Sequence, residues 1–135
     1  MTKSLFILLI SLSAFSIRLL AQEQPDSFTN LIVREWKLQF YGENGKKQSP
    51  SPQQEQDRMI FYKDHKVLSI EMGTKQQGIW QYDTIKKLLT ITDNETTEKT
   101  TLQVLQLDQQ RCVLGYKENP SAPLLEVHLL PVAKQ

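Results

Sequence analysis

From residue 36 onward the chain alternates apolar and polar side chains in short runs of period two, and that rhythm constrains its fold more than any other feature. A period of two belongs to strands with one buried face; a buried helical stripe would repeat every 3.6 residues. The run 36–41 puts Trp36, Leu38 and Phe40 on one face and Lys37 and Gln39 on the other, and Asn44-Gly45 closes it with turn chemistry. Residues 58–62 and 66–72 predict a hairpin across Lys63-Asp64-His65, with Met59 and Phe61 aligned in one arm and Leu68, Ile70 and Met72 in the other. A second hairpin, 78–82 with 87–92, sets Trp80 and Tyr82 opposite Leu89 and Ile91. In 98–107, Leu102 and Val104 share a face while Leu105 and Leu107 fall on the other, so a one-residue bulge at Val104-Leu105 is needed to keep one face apolar. Two more runs align Cys112, Leu114 and Tyr116, then Leu125, Val127 and Leu129.

These runs amount to eight sequential strands joined by short links. An up-and-down barrel and a sandwich both satisfy such a pattern, but a sandwich expects crossovers between sheets and the only long link is 42–57. The expectation is therefore all-β: an eight-stranded antiparallel up-and-down barrel over 34–135. A lead-in at 22–33 precedes it, with a short helix opening at Asp26-Ser27 and carrying Phe28, Leu31 and Ile32. Residues 46–57, "KKQSPSPQQEQD", have two prolines and no aliphatic side chain, which predicts a surface loop, disordered or acting as a lid.

Residues 1–21 have the order of a secretory signal: Lys3, an apolar run, then Ala21 as the small residue at the cut. The apolar stretch before Arg18 is shorter than the ~20 residues a membrane span needs, which leaves an uncleaved signal as the one membrane association to consider. Cys112 is the single cysteine, so neither a lipoprotein anchor nor an intramolecular disulfide framework is available. Without Lys3 and Arg18, the 16 basic residues fall to 14 against 15 acidic ones. That balance offers no electrostatic footprint for nucleic acid.

The stretches "REWKLQFY", "DRMIFYKDHKVLSI" and "GIWQYDTIKKLLTI" together resemble the lipocalin-like domains of exported proteins in Gram-negative bacteria. Trp36, Phe61, Asp64, Gly78, Trp80, Asp83, Leu89 and Ile91 stand at the positions that carry this resemblance. It implies a small calycin-type barrel outside the cytoplasm, periplasmic or secreted, whose interior either fills with side chains or encloses an apolar cavity. Three departures are visible. Arg34 stands where a glycine usually precedes the first tryptophan, His65 stands where the hairpin usually has glycine, and no arginine follows the last strand to stack on Trp36.

The inward phase nominates Trp36, Leu38, Phe40, Met59, Phe61, Leu68, Ile70, Trp80, Tyr82, Leu89 and Tyr116 as ligand-binding residues, the tryptophans serving as filler or as cavity wall. Ser69 and Thr90, on the opposite phase, are expected in solvent. His65 and His128 lack partners at metal-binding spacing, so no metal or other cofactor is expected. Cys112 reads as an inert core thiol, and no pair of titratable side chains converges inside the strand phases, so no catalytic residues are expected. Asp83-Thr84-Ile85 matches a bacterial O-glycosylation pattern but reads first as an ordinary turn capped by Asp83; Asn94-Glu95-Thr96 matches the eukaryotic N-glycosylation pattern, a coincidence in a bacterial protein. Two functions follow as expectations: a binding module for a small apolar or amphipathic molecule, or a filled barrel binding an envelope protein through outward Tyr41, Ile60, Tyr62 and Ile79.

Overall fold

The computed structural model describes residues 27–133; the signal segment expected at 1–21, the lead-in as far as 26 and Lys134 lie outside the described residues. A short helix α1 (Ser27–Ile32) leads into nine strands: β1 (Glu35–Glu43), β2 (Lys46–Gln48), β3 (Arg58–Phe61), β4 (Lys66–Glu71), β5 (Thr74–Asp83), β6 (Leu88–Asp93), β7 (Lys99–Leu107), β8 (Cys112–Tyr116) and β9 (Leu125–Pro131). Every pairing is antiparallel, in the order β2-β1-β3-β4-β5-β6-β7-β8-β9, and β9 returns to β1. Eight strands thus form a closed antiparallel barrel, which removes the free edges of an open sheet.

The ninth strand corrects the expectation of a structureless 46–57. Asn44 and Gly45 both take left-handed backbone angles (φ 53° and 77°), the geometry of a tight hairpin turn, so the chain folds back as β2 against Tyr41, Gly42 and Glu43. A 3-10 turn at Gln54–Gln56 follows, and the buried Asp57 carboxylate accepts a 2.8 Å hydrogen bond from the Met72 N–H. That bond ties the end of the link to the next hairpin turn. Met72 and Gly73 (φ 47° and 84°) make that turn, and β5 starts at Thr74 rather than at Gly78. Thr74, Lys75, Gln76 and Gln77 show no alternation because none is apolar.

Two bulges set the strand phases. The one expected in β7 is present: the register shifts between Val104 and Gln106 and restores Leu107 opposite Cys112. Leu105, the extra residue, lies on the outer face over Gly115. A second shift, between Leu38 and Phe40 in β1, reverses the phase of everything beyond it. Tyr41, paired with Val127, therefore joins the inward set, and Phe40 turns outward to stack on His128 with ring centroids 4.1 Å apart.

Three further turns share one device. Asp83, Asp93 and Asp108 each end a strand region and accept backbone N–H groups two and three residues ahead. All three carboxyls are held below the usual aspartate range, Asp83 and Asp93 chiefly by these bonds and Asp108 first by the Gln106 side-chain amide, which donates to it at 3.1 Å, and then by the backbone N–H groups.

Candidate functional site

The barrel has two unlike ends. Trp36, Phe61, Trp80, Leu89 and Cys112 are buried at one end, where β1, β4, β6 and β8 begin. Phe61 and Trp80 meet edge to face with centroids 6.3 Å apart. Burying a tryptophan removes about 200 Å² from water, worth on the order of 5 kcal/mol before entropic costs, so these rings anchor the fold. Their polar edges are satisfied within the backbone: Trp36 Nε1 donates to the Ile32 carbonyl and Trp80 Nε1 to that of Tyr62, each at 3.0 Å. Both tryptophans are filler.

Two of the departures from the family pattern have structural counterparts here. Arg34 sets its guanidinium 5.2 Å from the centre of the Trp36 ring, so a cation covers that indole from the residue before the strand. Its Nη1 donates to the Gln109 carbonyl. His65 adopts the left-handed conformation (φ 71°) that a glycine would favour there. Its ring stacks on Trp80 at 4.2 Å and its Nδ1 lies 2.9 Å from the Trp80 carbonyl oxygen.

At the opposite end, where β4, β6 and β8 finish, the barrel is hollow. A cavity of about 480 Å³ lies between Val67, Ile91, Leu102, Leu114 and Val127 below and Glu71, Gln76, Gln77, Thr96 and Glu98 at an exposed rim. Tyr41, Met59, Ser69, Gly78, Asp93, Thr100, Tyr116 and Leu125 complete the lining. A smaller hollow of about 50 Å³ adjoins it, bordered by Leu38, Asp57, Arg58 and Ile70. Burial raises the Tyr41 phenol above its usual pKa, and the negative charges of Glu71 and then Asp57 add to the effect.

Of the eleven residues nominated by phase, Met59 and Tyr116 line the cavity, and Leu38 and Ile70 border the smaller hollow. Trp36, Phe61, Trp80 and Leu89 belong to the packed end, and half-buried Tyr82 lies beyond them, opposite Leu89. Phe40 and Leu68 are corrected. Phe40 is turned out by the β1 bulge. Leu68 faces outward because Val67 and Ser69 pair with inward Phe61 and Met59, leaving Leu68 beside Ile60; Ile70, on the same phase beside Arg58, reaches only the border of the smaller hollow.

Ser69, expected in solvent, is a cavity residue, and Tyr41, expected outside, is another. The expectation that no titratable side chains converge inside the barrel also fails, since Tyr41, Glu71, Asp93, Glu98 and Tyr116 surround one cavity. Sequence reasoning missed Val67 because the apolar residues on the opposite phase, Leu68 and Ile70 in β4 and Met72 just after it, outnumber it. It missed Gln76 because the first four residues of β5, Thr74, Lys75, Gln76 and Gln77, include no apolar side chain.

Cys112 is buried and faces the packed end, where desolvation pushes its thiol up to about 12, with a smaller contribution from Asp108. A thiol held that high is a poor nucleophile. Among the described residues no group of three or more His, Cys, Asp and Glu side chains is arranged to hold a metal ion.

No protein-family model matches the chain, and no curated protein matches it. Among solved structures, it is similar to a lipocalin-like protein from Bacteroides uniformis ATCC 8492, with a TM-score of 0.57 and 14% sequence identity over 75% of this chain and 98% of that one. Likeness at that identity concerns the fold. With the closed eight-strand antiparallel sheet and the short helix before it, the chain has the fold of a lipocalin-like small barrel.

Proposed function

We propose that this protein is an exported binding module that holds a small apolar or amphipathic molecule in its barrel without transforming it. The observation that carries the reading is the hollow end. About 480 Å³ lies within the range of small-molecule sites, with aliphatic walls below and hydrogen-bonding groups above. A barrel evolved only as a packed scaffold gains nothing from such a void, because unfilled volume costs stability. Export rests on the residue order of 1–21, and N-terminal sequencing of protein from its own host should begin at Gln22.

Binding is tested with a neutral apolar fluorophore, N-phenyl-1-naphthylamine, together with native mass spectrometry of host-purified protein. Saturable fluorescence enhancement that is lost in Ile91→Trp, a variant that fills the cavity from its wall, supports the reading. A failure of the folded wild-type protein to enhance the fluorophore's emission sinks it.

A second reading, a barrel that docks on an envelope protein, is favoured by exposed Tyr62 and Ile79, which flank Lys66 on the outer face. Replacing both with Ser should abolish co-purification of a partner from the host envelope. Unchanged recovery of the partner would exclude this face.

A further inference from the structure

We infer that the cavity selects amphipaths whose polar end is a cation, such as an alkylammonium group, and disfavours fatty carboxylates. This inference rests on the binding-module reading above. It follows from how charge is distributed along the strands that build the hollow end.

Glu71 on β4, Asp93 at the end of β6 and Glu98 just before β7 all line the cavity, and among the described residues its lining contains no lysine, arginine or histidine. The nearby lysines are kept off it by strand alternation. Lys75 precedes inward Gln76 and pairs with outward Ile70, while Lys99 follows Glu98 and pairs with Thr92. Lys47 places its ammonium 4.7 Å from the centre of the outward Phe40 ring. A ligand entering tail first would lodge its chain among Val67, Leu102, Leu114 and Val127 and leave its head among the three acidic side chains.

The remaining polar groups suit the same head. The Tyr41 hydroxyl, half-buried in the wall, makes no hydrogen bond to another described residue. The Ser69 hydroxyl leans toward Glu71 at 3.5 Å, too long for a strong bond. Asp93 is occupied on one oxygen by the Glu95 and Thr96 N–H groups. The Thr96 side chain also hydrogen-bonds that carboxylate. An ammonium head brings three donors to a rim whose carboxylates carry three negative charges, whereas a carboxylate head would bring a fourth.

The test compares decylamine, decanol and decanoate, each below its micellar concentration, as competitors of N-phenyl-1-naphthylamine. Decylamine is expected to bind about tenfold more tightly than decanol, since two or three partly exposed ion pairs each contribute a few-fold, and decanoate more weakly than either. The Glu71→Gln/Glu98→Gln double variant should lose most of the decylamine preference and leave decanol unchanged. Both side chains are exposed, so the fold is not at risk. Raising salt from about 0.05 to 0.5 M should shrink the preference likewise, as screening of exposed charges requires.

Decanoate binding as tightly as decylamine overturns the inference and leaves the binding module standing. So does a decylamine preference that the double variant retains in full. A wild-type protein that takes none of the three probes and no fluorophore overturns both.

Discussion

One substitution made at two glycines separates the role of close backbone approach from that of glycine in general. At Gly78 a Cβ would sit 2.6 Å from the carbonyl oxygen of Thr92 on the neighbouring strand. Both positions are fixed by backbone, so no side-chain rotation relieves the clash. Ordinary contact begins at 3.4 Å, and β5 and β6 must therefore part by about 0.8 Å at the point where Gly78 pairs with Asp93. Overpacking of this kind costs about 1–3 kcal/mol, so Gly78→Ala should lower the melting temperature by roughly 5–20 °C in a domain of this size.

Gly42 is buried too, yet its Cβ would meet Glu126 Cβ at 3.6 Å, an ordinary contact, and its φ lies outside the left-handed region. Gly42→Ala restricts the unfolded chain without straining the folded one and should be neutral or stabilising by up to about 1 kcal/mol. Thermal and urea unfolding by circular dichroism measure both, with equal m-values expected. If Gly78→Ala melts within about 2 °C of wild type, or Gly42→Ala falls as far as Gly78→Ala, the close-approach argument is wrong.

Three other outcomes are expected. His65→Ala should destabilise more than His65→Gly by about 1 kcal/mol in urea unfolding, because both lose the stack on Trp80 and only alanine retains the left-handed penalty; equal losses would assign the whole effect to the stack. Arg34→Ala should cost about 1 kcal/mol and alter the tryptophan fluorescence, with Arg34→Lys recovering part of the stability. Cys112 should resist alkylation at pH 8 until the protein is unfolded. Its folded pKa of about 12 lies above the ordinary 9.0, so its contribution is intact below pH 9 and is lost as pH rises toward 12, while the unfolded thiol ionises first. The test is the difference in alkaline stability between wild type and Cys112→Ala, and a difference that does not vary with pH would refute it.

Much of the barrel was legible because its packed end is written in large residues at strict alternation. Trp36, Phe61, Trp80 and Leu89 give the phase of four strands, and the β7 bulge could be read from Leu102 and Val104 meeting Leu105 and Leu107. The cavity was far less legible, for a reason rooted in what a cavity is. Residues that border empty space need not be large or uniformly apolar, so Ser69, Gln76 and Thr100 carry no periodic signal. The β1 bulge left no trace either. Lys37, Gln39 and the aromatic pair Phe40-Tyr41 fit both registers, and only closure against β9 decides between them. In β4, apolar residues on both faces made a count of hydrophobics point outward.

Separating the packed end from the hollow one bears on how such a chain can change over generations. The rings that hold the barrel closed and the side chains that would touch a cargo occupy different ends of the same strands. If the hollow end binds as proposed, exchanges at Ser69, Gln76 or Thr100 would alter what is carried while the melting temperature hardly moves. Drift at the rim is cheap, and drift among the tryptophans is not. On the binding-module reading proposed above, a "GIWQYD"-like stretch therefore speaks for the shape alone, and the cargo is to be read from the rim chemistry of each chain.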